Sequence, residues 1–179
     1  MRREGDHEDM IAIMSIFDRF IERMKATLKW DSALRFIGTN EKGHETVFDT
    51  SKKGGGLDSA ASPMETVLEA LAACTAMDII PILQKRRKTV TDFWVDLNAE
   101  RADMPPKVFT RIEMVIHVVS PDANQSELDH ALELSHSVYC SVSSMLSRSG
   151  CRIEAKAKLE KDSLAKQPKS SHLASNVTS

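Results

Sequence analysis

The sequence predicts an α+β fold, and three observations predict it. Strand-like and helical segments follow one another as strands, helix, strand pair, helix, strand, without the regular βαβ alternation that builds a parallel sheet. The segment opening at Ser62-Pro-Met-Glu65 is apolar nearly all round, as a buried helix is. The last segment alternates strictly: Cys151, Ile153, Ala155, Ala157 and Leu159 stand against Arg152, Glu154, Lys156, Lys158 and Glu160. That period belongs to a half-buried strand with one solvated face. The architecture favoured is antiparallel sheets around a central buried helix.

Taken in order, Met10, Ile13, Met14, Phe17, Phe20, Ile21 and Met24 recur at helical spacing and predict an amphipathic extension over residues 1–24. Its polar face mixes acids and bases, which suits docking on the domain or on a second subunit better than a membrane surface. Leu28 to Ile37 and Glu45 to Thr50 read as a strand pair joined by the turn-rich Gly38–Gly43 link. The loop Ser51–Ser62 carries Gly54, Gly55 and Gly56 in a row. Consecutive glycines before a helix can cradle an anion. The helix start here lacks the Lys-Ser/Thr of a phosphate loop, which favours a plain linker.

Ser62 as cap, Pro63 at the first helical position and Glu65 as the return of a capping box open the first helix. Ala70, Ala72, Ala73 and Ala76 keep it slim as far as Ile82 and Leu83. Pro81 offers no N–H to the Met77 carbonyl, so a kink is expected there. Lys85-Arg-Arg-Lys88 places cations at its C-terminal end, where they suit the helix dipole. Val90, Phe93, Val95 and Leu97 suggest a strand, and Val108 to Val119 its hairpin partner across Met104-Pro-Pro106. A second helix is expected from Gln125 to Arg148, with an apolar stripe running from Leu128 through Ser135 and Tyr139 to Leu146; Gly150 stops it. From Ser163 to Ser179 the chain is rich in Ser, Lys and Asn and is expected to be disordered. The organisation is therefore an extension over 1–24, a domain over 25–162 and a tail over 163–179.

The 179 residues suffice for one domain with a real core. With 24 basic residues against 26 acidic ones, the chain lacks the basic excess of a nucleic-acid binder. Cys74, Cys140 and Cys151 make no dense, even-numbered framework, so a reducing, cytoplasmic setting is expected. The start has no signal-peptide pattern, and no run approaches the roughly 18 uninterrupted apolar residues of a membrane span.

Cys74 lies in Leu71-Ala-Ala-Cys-Thr-Ala-Met77, where small neighbours let a backbone or a ligand come close. A buried cysteine is also the ordinary inert filling of a core. Cys140, in Tyr139-Cys-Ser-Val142, lies beside its helix's apolar stripe, with His136 one turn earlier. A protonated histidine there could favour the thiolate; the plainer reading is a helix-flank thiol beside a surface histidine. His136 and Cys140 could also be two ligands of a metal, but a site needs a third, and the sequence offers no clear one. Asp78, one turn after Cys74, would raise a neighbouring thiol's pKa if left unpaired.

Ala61-Ser-Pro-Met-Glu-Thr-Val-Leu-Glu-Ala-Leu-Ala-Ala-Cys-Thr-Ala-Met-Asp78, followed by Tyr139-Cys-Ser-Val142, resembles the OsmC/Ohr family over roughly residues 26–160. The resemblance implies an intertwined homodimer and a thiol peroxidase that reduces organic hydroperoxides in the oxidative stress response, with no cofactor or metal. It makes Cys74 the peroxidatic thiolate and Cys140 the resolving thiol, the disulfide being reduced by a thiol donor. It also implies an arginine from the first strands, for which Arg35 is the candidate, and a glutamate at the start of the cysteine helix. Here Met64 fills the glutamate's slot and Glu65 comes one residue later, a rotation of roughly 100° on a helix. Glu65 is thus a candidate for the site or simply a cap. These departures resemble the less-characterised OsmC-like branch and leave an alternative, a non-catalytic dimeric binding or scaffold protein with reduced thiols.

Overall fold

The computed structural model describes residues 24–160. The amphipathic stripe before Met24 and the tail from Ser163 lie outside the described residues. The chain divides into two compact units, one ending at Glu65 and the other beginning at Thr66.

In the first unit, β1 (Ala26–Ser32), β2 (Arg35–Asn40) and β3 (Glu45–Phe48) form an antiparallel sheet in that order. The run Leu28–Ile37, expected as one strand, is a hairpin. The chain reverses at Ala33, whose φ of +46° puts an alanine in left-handed backbone, and the Trp30 indole donates to the Ala33 carbonyl at 2.8 Å. No glycine or proline marks this turn, so the apolar pattern runs through it unbroken. The β2–β3 turn falls at Glu41–His44, later than the expected link. The Asn40 side chain accepts from the amides of Lys42 and His44, and Gly43 takes φ +83°.

The glycine loop folds around Asp49, which is 1% exposed. Its carboxylate accepts from the amides of Thr50, Leu57 and Ser59 at 2.8, 3.1 and 2.9 Å and from the Ser59 hydroxyl at 2.7 Å. Led by the Ser59 hydroxyl, these donors hold the carboxyl far below the usual carboxylate range. A Cβ on Gly56 would stand 2.1 Å from the Thr50 carbonyl oxygen and 2.5 Å from Asp49 Oδ1. Close approach is therefore what this glycine supplies, and the anion that the loop cradles is one of its own carboxylates.

Helix α1 (Pro63–Lys85) opens with the expected capping box: the Ser62 amide donates to Glu65 Oε2 at 2.7 Å, and the Glu65 amide to Ser62 Oγ at 3.4 Å. The helix continues through Pro81. Its burial differs from expectation. Only Leu71, Thr75, Ile79 and Leu83 are buried, a line of every fourth residue, while Met77 is 74% exposed. Among the described residues α1 is the one helix long and apolar enough, by length and composition, to cross a membrane. Among the described residues one of its faces is covered and an apolar face is left open.

In the second unit, β4 (Asp92–Arg101) and β5 (Phe109–Val119) form the expected antiparallel hairpin. β6 (Arg152–Glu160) then pairs with β5 in parallel, an exception to the expected antiparallel pairing. The helical segment between β5 and β6 is a crossover, long enough to return the chain to the end from which β5 started. β5 is the central strand, with Ile112, Met114, Ile116 and Val118 fully buried.

The single helix expected over 125–148 is broken. α2 (Gln125–Leu134) opens with a capping box between Asn124 and Glu127, and a π-helical turn takes over at Ser135–Tyr139. Cys140 is extended (φ −71°, ψ 99°) and caps α3 (Ser141–Arg148). The wider turn and the extended residue change the phase of the apolar stripe. Val138, Tyr139 and Met145, expected inward, are 64%, 56% and 64% exposed, while Cys140 turns inward and is 3% exposed.

Candidate functional site

The break in the second helical segment brings Cys140 to Cys74, 66 positions away in sequence (140 minus 74). Cys74 Sγ, Cys140 Sγ and a carboxylate oxygen of Asp78 all lie within 4.8 Å of one another. Cys74 and Asp78 are one turn apart on α1 and so share a face. Cys140 comes from the cap of α3, where its sulfur accepts the Ser143 amide at 3.4 Å.

Three residues that the sequence reading did not assign to the site hold this cluster. Thr75 Oγ1 stands 3.8 Å from Cys140 Sγ. Ser135 donates its hydroxyl to Asp78 Oδ2 at 2.8 Å. Ser143 gives its amide to the Cys140 sulfur and its hydroxyl oxygen lies 2.9 Å from His136 Nδ1. All three are essentially buried. Thr75 and Ser135 were visible as polar residues on otherwise apolar stripes; Ser143 had no such mark, because the phase of the stripe changes before it.

Burial, more than any other cause, pushes the Cys140 thiol up, and the hydrogen bond with Cys74 adds to this; the Ser143 amide and Thr75 hydroxyl oppose it. Cys140 is thus a protonated thiol at neutral pH. His136 is pushed down by desolvation, so the imidazole near Cys140 is neutral and not the cation considered from sequence. His136 is also absent from the donor cluster, whose further members are Cys74 and Asp78. Cys151 is buried separately, and burial raises its thiol too.

Arg35 and Glu65 belong to the first unit and are engaged there. The Arg35 guanidinium pairs with Asp31, and Glu65 is held below the usual carboxylate range by its bonds to Ser62. Beside Asp78 a groove of about 430 Å³ is walled by Met77, Pro81, Ile82, Leu134 and Tyr139, with Lys85 and Arg86 also lining it. Of the cluster, Asp78 lines this groove, beside apolar side chains and two cations.

Comparison with known proteins agrees with this arrangement. Residues 55–156 match the family described as OsmC-like protein. Protein YhfA of Escherichia coli K12 is 39% identical over 125 residues, covering 70% of this chain and 90% of that protein. A hypothetical protein from Aquifex aeolicus VF5, solved as a crystal structure, superposes with a TM-score of 0.69 at 26% identity, covering 79% of this chain and 99% of that one. An organic hydroperoxide resistance protein from Elizabethkingia anophelis superposes with a TM-score of 0.58, covering 78% and 98%; at 17% identity it speaks for the fold alone. With an α+β fold, a helix cysteine met by a second cysteine, and a family match over more than half its length, this chain belongs to the OsmC-like protein family.

Proposed function

We propose that the chain is a thiol-dependent peroxidase acting on organic hydroperoxides, with Cys74 as nucleophile and Cys140 as resolving thiol. The observation that carries this reading is the convergence of the two sulfurs, from α1 and from the cap of α3, within 4.8 Å. Cys74 is the half-buried member and Cys140 the buried one, the order of access expected of an attacking and a resolving thiol.

In the first step the Cys74 thiolate attacks the outer peroxide oxygen. The O–O bond breaks, and the alkoxide takes a proton and leaves as an alcohol. Cys140 then attacks the resulting sulfenic acid, giving a disulfide and water, and two equivalents of a thiol donor restore the dithiol. The apolar groove beside Asp78 suits an organic substituent better than hydrogen peroxide. Arg35 and Glu65 complete the proposal as supporting residues, the arginine to steady developing negative charge; each would have to exchange its present partner to act. A homodimer in the cytoplasm is part of the same reading, since the open face of α1 around Met77 offers apolar surface for a second copy.

Stopped-flow consumption of cumene hydroperoxide by the reduced chain tests it. A rapid burst lost in Cys74→Ser, with a Cys74–Cys140 disulfide identified by mass spectrometry, is expected; consumption unaffected by Cys74→Ser would sink it. One observation favours a second reading, a binding or scaffold protein with idle thiols. The group that converges with both sulfurs is a carboxylate, an anion and not a charge partner for a thiolate.

A further inference from the structure

We infer that Cys74, Asp78 and Cys140 form a binding site for a thiophilic divalent cation, with zinc as its natural occupant. Two sulfurs and a carboxylate oxygen are a donor set that Zn²⁺ accepts, and soft sulfur ligands select against magnesium and calcium. The three converge from two separate backbone elements: Cys74 and Asp78 are one turn apart on α1, and Cys140 caps α3. A tetrahedral zinc, with Zn–S of about 2.3 Å and Zn–O of about 2.0–2.2 Å, holds such donors roughly 3.5–3.8 Å apart. Here all three lie within 4.8 Å of one another, so each pair closes by at most about 1.3 Å. Small side-chain rotations suffice for that.

The surroundings supply independent support, because metal ligands are held by outer hydrogen bonds that orient them. Ser135 donates its hydroxyl to Asp78 Oδ2, and the Ser143 amide donates to the Cys140 sulfur. Both are donors aimed at atoms that carry negative charge when they ligate. Without a cation, two thiolates and a carboxylate would set three negative charges side by side; a divalent ion offsets two of them. Three protein ligands leave a fourth position, the pattern of an open rather than a closed zinc site. One of the three ligands, Asp78, lines the groove of about 430 Å³.

The site uses the same sulfurs as the proposed peroxidase but does not rest on that reading, because binding requires only reduced thiols. The test is titration of the reduced, metal-free chain with Co²⁺, followed by displacement with Zn²⁺. One equivalent per chain is expected, with thiolate-to-cobalt charge-transfer absorption and the intense visible bands of a tetrahedral site. Cys74→Ser should abolish the charge-transfer band expected of two thiolates or weaken binding at least tenfold, and Asp78→Asn should weaken it. Ser135→Ala should cost about tenfold, as loss of an outer-sphere partner does. Cys151→Ser, outside the donor set, should change nothing.

Octahedral cobalt without thiolate bands, or binding undiminished in both Cys74→Ser and Asp78→Asn, overturns the site. Circular dichroism of each variant identifies any loss that comes from misfolding, and the half-buried Cys74 carries the test if a Cys140 variant misfolds. Peroxide turnover by the metal-free chain is read separately. Cobalt binding without turnover refutes the peroxidase alone, and turnover without cobalt binding refutes this site alone.

Discussion

Ser135→Ala isolates the contact that holds Asp78 at the thiols. The serine is fully buried, and its hydroxyl donates to Asp78 Oδ2 at 2.8 Å. A hydrogen bond to a charged group contributes about 1.5–3 kcal/mol, and the low end applies because the half-exposed carboxylate can take water in exchange. Alanine leaves no orphaned donor behind and a void of a single oxygen, so cavity formation adds little. The expected loss is about 1.5 kcal/mol, or roughly 3–6 °C in Tm for a chain of this size, followed by far-UV circular dichroism. Ser137→Ala, which removes an exposed hydroxyl bonded to the Glu133 carbonyl, controls for the substitution itself and should stay within about 0.5 kcal/mol. A double-mutant cycle with Asp78→Ala should return a coupling of about 1 kcal/mol. Coupling indistinguishable from zero would refute the contact, however large either single loss.

Two pH dependences follow from the environments of Cys140 and Asp49. Burial raises the Cys140 thiol above its unfolded value, so its contribution to stability is complete below the unfolded thiol pKa and is lost as pH rises through the folded one. Iodoacetamide labelling of Cys140 should stay slow at neutral pH and accelerate only well above the usual thiol range; free-thiol rates at pH 7 would contradict this. Asp49 is the opposite case. Its depressed carboxyl contributes stability above the unfolded carboxylate value, and that stability is lost as pH falls through the folded one. Asp49→Asn should therefore lower Tm at pH 7 and flatten the decline of Tm below about pH 4; parallel curves for the two proteins would contradict it.

The legible parts of the fold were those where local signals and tertiary packing agree. Ser62, Pro63 and Glu65 announced the start of α1, and the alternation from Cys151 announced β6. The turn at Ala33 was hidden because a non-glycine residue adopts left-handed backbone without any sequence mark. The direction of β6 was hidden as well, since alternation fixes faces and says nothing about parallel or antiparallel pairing. At the site, residue types pointed to Cys74 and Cys140, but the geometry that joins them depends on the π-helical turn at Ser135–Tyr139. A continuous helix would leave Cys140 on the flank of the stripe. Tertiary contact decides this break, and no proline or glycine lies there to signal it.

The placement of carboxylates sets the chemical problem of the site. Glu65 is committed to the capping box with Ser62, while Asp78 stands within 4.8 Å of both sulfurs. A thiolate formed at Cys74 therefore stands within 4.8 Å of a carboxylate and of the buried Cys140 thiol, while the cations Lys85 and Arg86 line the groove beside Asp78. His136 is neutral, and the Arg35 guanidinium is paired with Asp31. A cation brought to the pair would steady that thiolate, and so would a proton kept on Cys140 while Cys74 reacts. Burial of Cys140 already provides the second route at neutral pH, and a thiophilic metal would provide the first. The two routes differ in what they do to Cys140. A retained proton leaves it poised to resolve a sulfenic acid, whereas a metal claims it as a thiolate ligand, so the occupant of this cluster decides whether the second cysteine resolves or ligates.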